Sequence, residues 1–224
     1  MAISTLIDKQ DSFEVIRDQI AAILTTEVAS QIALATTAGK PNPDDWKLRI
    51  FTERSNPWEQ LLNEQTDRSP IVNIWYDNSN FAPGKSNISE RQASETVYNI
   101  DCYGYGLSRD DGGTGHIPGD REAAFEVQKA LRLIRNILMA AEYTYLGLQG
   151  LVWQRWPQSV TVFQPQLDGR QMQQIVGARL ALRVVFNEFS PQVEPVTLEL
   201  LSVDVIRAED GEIVLEADYD YLAP

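Results

Sequence analysis

Cysteine and histidine are nearly missing from this chain: Cys102 and His116 are the only ones in 224 residues. One cysteine cannot build a disulfide framework or a thiolate metal cluster. One histidine excludes multi-histidine metal sites. Basic residues are also short, with 19 Lys and Arg against 32 Asp and Glu, a net charge of −13. That balance argues against a protein that tracks nucleic-acid phosphates or sits on an anionic membrane. No apolar run approaches the roughly 18 residues of a membrane span, and the N-terminus MAISTLIDKQD lacks the charged-then-apolar pattern of an export signal. The expectation is a cytosolic protein. Internal repeats and low-complexity runs are absent too.

What is present is ordinary for a globular domain. Hydrophobic residues make up 43% and charged residues 23% of the chain, and 224 residues suit one large domain or a domain with an appendage. The clearest element is a helix over 120–142. Ala124, Val127, Leu131, Ile134, Leu138 and Ala141 recur at three- and four-residue steps, the spacing of one helix face. Asp120 is positioned to cap it, behind Pro118-Gly119. A first helix is expected from Asp11 or Ser12 to Ala38, with Asp11 and Glu14 as a capping box and Gly39 beyond its end. Asn56-Pro57 opens a short helix to about Glu64.

Strands are expected elsewhere. Trp46, Leu48 and Ile50 alternate with Lys47 and Arg49, as in a half-exposed strand. The segments 71–77 and 95–105 read as strands separated by a polar loop over 78–94, long enough to be functional or disordered. A glycine-rich loop, DDGGTGHIPG, leads into the long helix, so the two loops leave the 95–105 strand at opposite ends. LQGLVWQRW and SVTVFQP read as two strands, or one bent at Pro157. In 178–189 the residues Ala178, Leu180, Leu182, Val184 and Phe186 make one apolar face, the mark of a central strand under the helix. The segments 198–206 and 212–221 flank Asp210-Gly211 as a hairpin. Strands clustered around one long helix imply an α+β fold: a mostly antiparallel or mixed sheet packed by the long and N-terminal helices, with residues 1–195 as the domain and 196–224 as a hairpin extension.

Few motifs carry chemistry. Pro83-Gly84-Lys85-Ser86 ends like a phosphate loop, but Ser79 stands where the first glycine belongs and no apolar helix follows. The glycine loop before the long helix meets carboxylates at Asp110, Asp111, Asp120 and Glu122, which disfavour an anion there. As a calcium loop it fails, with Gly112 in a ligand position. Cys102 alternates with Tyr98 and Ile100 and reads as a buried apolar residue. No enzyme, cofactor or metal is expected. Candidate partner contacts are the cation row Lys129, Arg132 and Arg135, the acidic row Glu212, Glu216, Asp218 and Asp220, and the loop residues Asn87, Asp110 and Asp111. Each row is also what a solvated helix or sheet face looks like.

The succession of an N-terminal helix, PIVNIWYD, ETVYNIDCYGYG, REAAFEVQKALRLIRNIL and ARLALRVVFNEF resembles the tail-terminator (tail-completion) proteins of tailed bacteriophages, particularly those of contractile tails. The resemblance covers about residues 11–189 and rests on element order. It implies an α+β subunit of a hexameric ring that caps the tail tube and offers a surface for head attachment. It implies as partners further copies of the chain, the tail tube and its sheath protein, and a head-side connector. DNA would pass without being specifically bound, no membrane is involved, and the protein would go from host cytoplasm to virion neck. The family has no catalytic residues to carry over. Another neck, connector or baseplate subunit is the alternative. A third reading is a ligand-binding or enzymatic domain with Trp75, Tyr103, Trp153 and Trp156 around a pocket.

Overall fold

The computed structural model describes residues 10–63, 67–81, 91–110, 112–113, 115–165, 174–189, 200–206 and 213–220. The chain divides into two compact units, Met1–Phe189 and Ser190–Pro224. In the first unit the order is α1 (Ser12–Thr37), a 3-10 turn (Pro43–Trp46), β1 (Arg49–Thr52), α2 (Glu59–Asn63), β2 (Ile71–Phe81) and β3 (Arg91–Tyr105). A small ladder of β4 (Arg109–Asp110) and β5 (His116–Ile117) follows, then α3 (Gly119–Met139), β6 (Val152–Phe163) and β7 (Ile175–Phe189). The strands form a five-stranded mixed sheet in the order β1-β2-β3-β7-β6, parallel only between β1 and β2. The fold is α+β, as the sequence predicts.

Helix α1 begins where its capping box does. Asp11 accepts from the Ser12 amide at 3.0 Å, and the Asp11 amide donates to Glu14 Oε2 at 2.9 Å. Gly39 follows at φ +65°, a conformation that ends a helix at little cost in glycine. Thr25, Thr36 and Thr37 return their hydroxyls to carbonyls four residues back, so mid-helix threonines do not break it. By length and composition α1 is able to cross a bilayer. Ile16, Ile20, Ile23, Leu24 and Val28 are nevertheless buried in the protein core, and a span would have to give that burial up.

Both long helices lie on one sheet face, α1 over β1 and β2 and α3 over β3 and β7. Val127, Ile134, Leu138, Tyr98, Ile100, Leu182 and Val184 join in one buried cluster beneath them. Leu131, expected at its centre, is only partly buried on the flank of α3. Burying each large apolar side chain here contributes roughly 1.5–3 kcal/mol. The close fit of α3 depends on glycine: a Cβ on Gly104 would stand 2.6 Å from the Ala123 carbonyl, and one on Gly106 would stand 2.1 Å from the Gly119 carbonyl.

Several boundaries differ from the sequence expectation. Trp46 belongs to the 3-10 turn and the strand starts at Arg49, because Pro43 pre-sets a helical turn. Strand β2 runs on to Phe81 and β3 begins at Arg91, so both ends of the stretch expected as a polar loop, 78–81 and 91–94, are strand. Cross-strand pairing there satisfies backbone that polarity alone assigns to a loop. Helix α3 starts at Gly119, with Pro118 as cap and Asp120 inside the first turn. β6 is one strand across Pro157, with register shifts at Val152/Gln154 and Pro157/Ser159; an edge position tolerates a missing amide.

The second unit contains the expected hairpin, β8 (Leu200–Ile206) with β9 (Ile213–Asp220). Its register pairs Leu201, Val203 and Val205 with Tyr219, Ala217 and Leu215, alternating with Ser202–Asp218 and Asp204–Glu216.

One carboxyl near the start of α1 makes folding pH-dependent. Burial first, then the hydrogen bond and charge of Asp11, push Glu188 on β7 up from the usual 4.5 to about 7. Between those values the folded chain holds a proton that the unfolded chain releases. This contribution to stability is therefore complete below pH 4.5 and is lost as pH rises to 7. Glu188→Gln should flatten that slope and raise stability at pH 8 by on the order of 1 kcal/mol, discounted for partial exposure. Melting curves at pH 5 and 8 read it, and an unchanged slope in the variant would contradict it.

Candidate functional site

The sheet face away from α1 and α3 is polar and aromatic. Successive residues of a strand alternate between faces, so Asp101 and Tyr103 of β3 point opposite to Ile100 and Cys102. The register sets Asp101 against Arg179 on one side and Asn73 on the other. Asp101 is only 3% exposed. A buried carboxylate needs donors to replace its lost water, and four converge on it. Arg179 grips it from Nε at 2.7 Å and Nη2 at 3.0 Å, Trp75 Nε1 donates at 2.9 Å, and the Tyr103 hydroxyl donates at 3.3 Å.

The guanidinium of Arg179 in turn stacks on Trp75 at 4.8 Å and on Phe163 at 5.6 Å. Its hydrogen bond with Asp101 is the main reason its pKa rises above the ordinary arginine value. Tyr103 is pushed up, by burial first and then by the Asp101 charge. It stays protonated as a donor. Asn73, also buried, clamps the chain after β1 by accepting from the Arg54 amide at 3.0 Å and donating to the Arg54 carbonyl at 2.9 Å. Trp58 leans on Tyr103 with ring centroids 5.3 Å apart.

Together these residues line an open cleft of about 630 Å³, walled by Trp58, Trp75, Tyr103 and Phe163 with Arg54, Glu53 and Arg179 at hand. A pre-oriented arginine and aromatic walls are groups that suit a flat or hydrogen-bonding ligand, although two Arg179 donors are already engaged by Asp101. Further along the face Arg183 pairs with Glu95 at 2.6 Å and stacks on Trp156 at 5.8 Å. Of the four aromatics expected around a pocket, only Trp75 and Tyr103 meet in the cleft. Trp156 lies beyond it, and Trp153 is more than half exposed on the edge strand. Cys102 is fully buried on the helix side, where desolvation drives its thiol pKa up; it is not placed for chemistry.

The other candidate contacts are scattered. Lys129 pairs with Glu126 at 3.0 Å and, with Arg132, lies over the Trp46 ring at 5.4 and 5.6 Å. Arg135 is exposed on the outer side of α3. Asp110 is exposed on β4 with His116 Nδ1 at 3.9 Å. Glu216, Asp218 and Asp220 follow one another at alternate positions of β9, opposite Asp204, Ser202 and Leu200. Asn87, Asp111, Glu212 and the Pro83–Ser86 stretch fall outside the described residues. Among the described residues no group of three His, Cys, Asp or Glu side chains could hold a metal.

Sequence reasoning missed the Asp101–Arg179 centre. The available signal was polar residues at alternate positions, Asn99, Asp101 and Tyr103 on one strand and Arg179 and Arg183 on another. It became meaningful only once the register set them side by side. No family model matches the chain, and no curated protein matches it.

Proposed function

We propose that the chain is a structural subunit of a phage particle, a tail-terminator or tail-completion protein that assembles into a ring, caps the tail tube and joins it to the head. The observation that carries the reading is the order of elements over residues 11–189. An N-terminal helix, the β2–β3 pair, the long α3 and the late strand β7 follow one another in the order on which the resemblance rests, with the strands in one mixed sheet. The strand β3 carries one connection at each end, toward β2 and toward the β4–β5 ladder. A ring subunit needs two such ends, because its two axial faces meet different partners. The acid excess of 32 over 19 suits a ring that DNA passes without adhering. In this reading the protein performs no catalysis and holds no cofactor, and it works in the host cytoplasm before it enters the virion neck.

The test is native mass spectrometry of the protein alone and with the tail-tube protein, followed by electron microscopy of particles assembled without it. A closed oligomer that binds tube ends, and unjoined tails of excess length in its absence, are the expected results. Normal tail lengths would move the chain to the alternative role of a neck, connector or baseplate subunit.

A further inference from the structure

The charges that line the cleft on the open sheet face are unequally engaged. Asp101 is held twice by Arg179. Glu53 accepts from Arg17 Nη1 at 3.3 Å and from the Tyr76 amide at 3.0 Å. Arg54 differs from both. One of the five N–H groups of its guanidinium donates to Gln60 Oε1 at 2.8 Å, and the group lies over the Phe51 ring at 4.7 Å. Among the described residues no carboxylate pairs with it, so its charge is unbalanced and most of its donors are free.

Arg54 is nevertheless held firmly in place. The chain leaves β1 through Glu53 at φ +52°, a left-handed conformation that is unfavourable for a residue with a Cβ. Asn73, only 2% exposed, commits both ends of its side-chain amide to the Arg54 backbone. A merely solvated surface arginine needs neither device. With its backbone clamped and its head steadied by Gln60 and Phe51, this arginine loses little freedom on gripping an anion. Trp58, Trp75 and Phe163 line the same cleft, each partly exposed. They are rigid aromatic surfaces on which a flat ring can stack.

From this arrangement we propose that the cleft binds a small molecule made of a flat aromatic ring and one carboxylate. The carboxylate meets the Arg54 guanidinium, and the ring lies against the aromatic walls. A planar guanidinium presents paired donors that match the two oxygens of a carboxylate. Charge complementarity sets the number of negative groups. One unbalanced arginine in a chain of net charge −13 suits a single anionic group, whereas a multiply charged phosphate would face the repulsion of the acid excess. A cation finds no free partner, because both lining carboxylates are already paired. The volume of about 630 Å³ lies within the roughly 300–1,000 Å³ of small-molecule sites. The inference goes beyond the proposed function and is independent of it, since a subunit of any assembly could carry such a cleft.

The experiment is isothermal titration calorimetry of the full chain with four probes. They are 2-naphthoate, its neutral analogue 2-naphthamide, acetate, and adenosine monophosphate as a flat ring with a dianionic phosphate. Naphthoate should bind at one site per chain, at least about tenfold more tightly than each of the other three. Arg54→Gln, a change on an exposed side chain, should bring naphthoate down to the affinity of naphthamide. Arg54→Lys keeps the charge without the planar fork and should fall between. Trp58→Ala should weaken naphthoate and naphthamide together. Arg121→Gln, exposed on α3 away from the cleft, should change nothing. Circular dichroism and melting temperature check that each variant folds, and Arg54→Gln carries the test if Trp58→Ala does not. Absence of saturable naphthoate binding at millimolar concentration overturns the inference, as does unchanged binding in Arg54→Gln. Equal affinity for naphthamide overturns the assignment of the carboxylate, and equal affinity for acetate overturns that of the ring. Tighter binding of adenosine monophosphate overturns the single charge.

Discussion

Asp101→Ala is expected to lower the free energy of unfolding by about 1–3 kcal/mol, the cost of leaving buried donors without their acceptor, since the Arg179 side chain itself is 38% exposed and water can reach it. The whole stability of a domain is about 5–15 kcal/mol, so this is a large fraction. Asp101 is almost fully buried and receives Arg179 twice, Trp75 once and Tyr103 once. Its removal leaves a guanidinium held between Trp75 and Phe163 without its counter-charge. The indole N–H and the phenol also lose their acceptor. The same argument predicts a partial rescue: Asp101→Leu combined with Arg179→Met removes both charges and should recover most of the loss. Urea denaturation of the single and double variants measures both. A loss below about 1 kcal/mol in Asp101→Ala would mean that water replaces the carboxylate freely. It would recast the cleft as a hydrated groove.

The second large effect should come from one methyl group. Gly106→Ala would place a Cβ 2.1 Å from the Gly119 carbonyl oxygen and 2.7 Å from the Ala123 amide. Both are backbone atoms of the first turn of α3, and neither can rotate away as a side chain would. The helix start has to lift from β3, and Gly119, whose own absent Cβ would meet the Gly106 carbonyl at 2.7 Å, shares the contact. A loss of about 3 kcal/mol is expected, at the upper end for overpacking. Hydrogen exchange should speed up first in the opening turns of α3. Gly113→Ala is the control: nothing lies within 4 Å of the added Cβ, so only its φ of +145° is strained. Equal losses in the two variants would show that close approach is not what Gly106 supplies.

Both effects lie on residues whose importance is invisible one segment at a time. In ETVYNIDCYGY the apolar residues Tyr98, Ile100 and Cys102 declare a buried face by alternation, and the burial of all three follows. The same alternation leaves Asn99, Asp101 and Tyr103 on the opposite face, where a carboxylate ordinarily meets solvent. Asp101 is instead buried because its neighbour in register is Arg179, 78 residues away along the chain. Leu131 illustrates the opposite limit. Helical spacing places it in the apolar stripe, but α3 is turned so that Val127, Ile134 and Leu138 face the sheet and Leu131 stays on the flank. Periodicity defines a stripe to within a residue or two, whereas rotation about the helix axis is decided by what the helix packs against.

The sequence by itself determined the elements that local chemistry controls. These include α1 with its Asp11–Glu14 box, α3 with its apolar stripe, the central β7 with one apolar face, and a hairpin at the C-terminal end. Caps and periodic patterns act over three to seven residues, so they are written where they act. Tertiary structure alone decided where the strands at 78–81 and 91–94 end, which face of β3 hides a carboxylate, and which glycines let a helix touch a sheet. It also decided that β1 and β6 become the outer edges. Each of these depends on strand register and sheet order between segments tens of residues apart. A one-residue slip in that register exchanges the faces of a strand without altering its sequence.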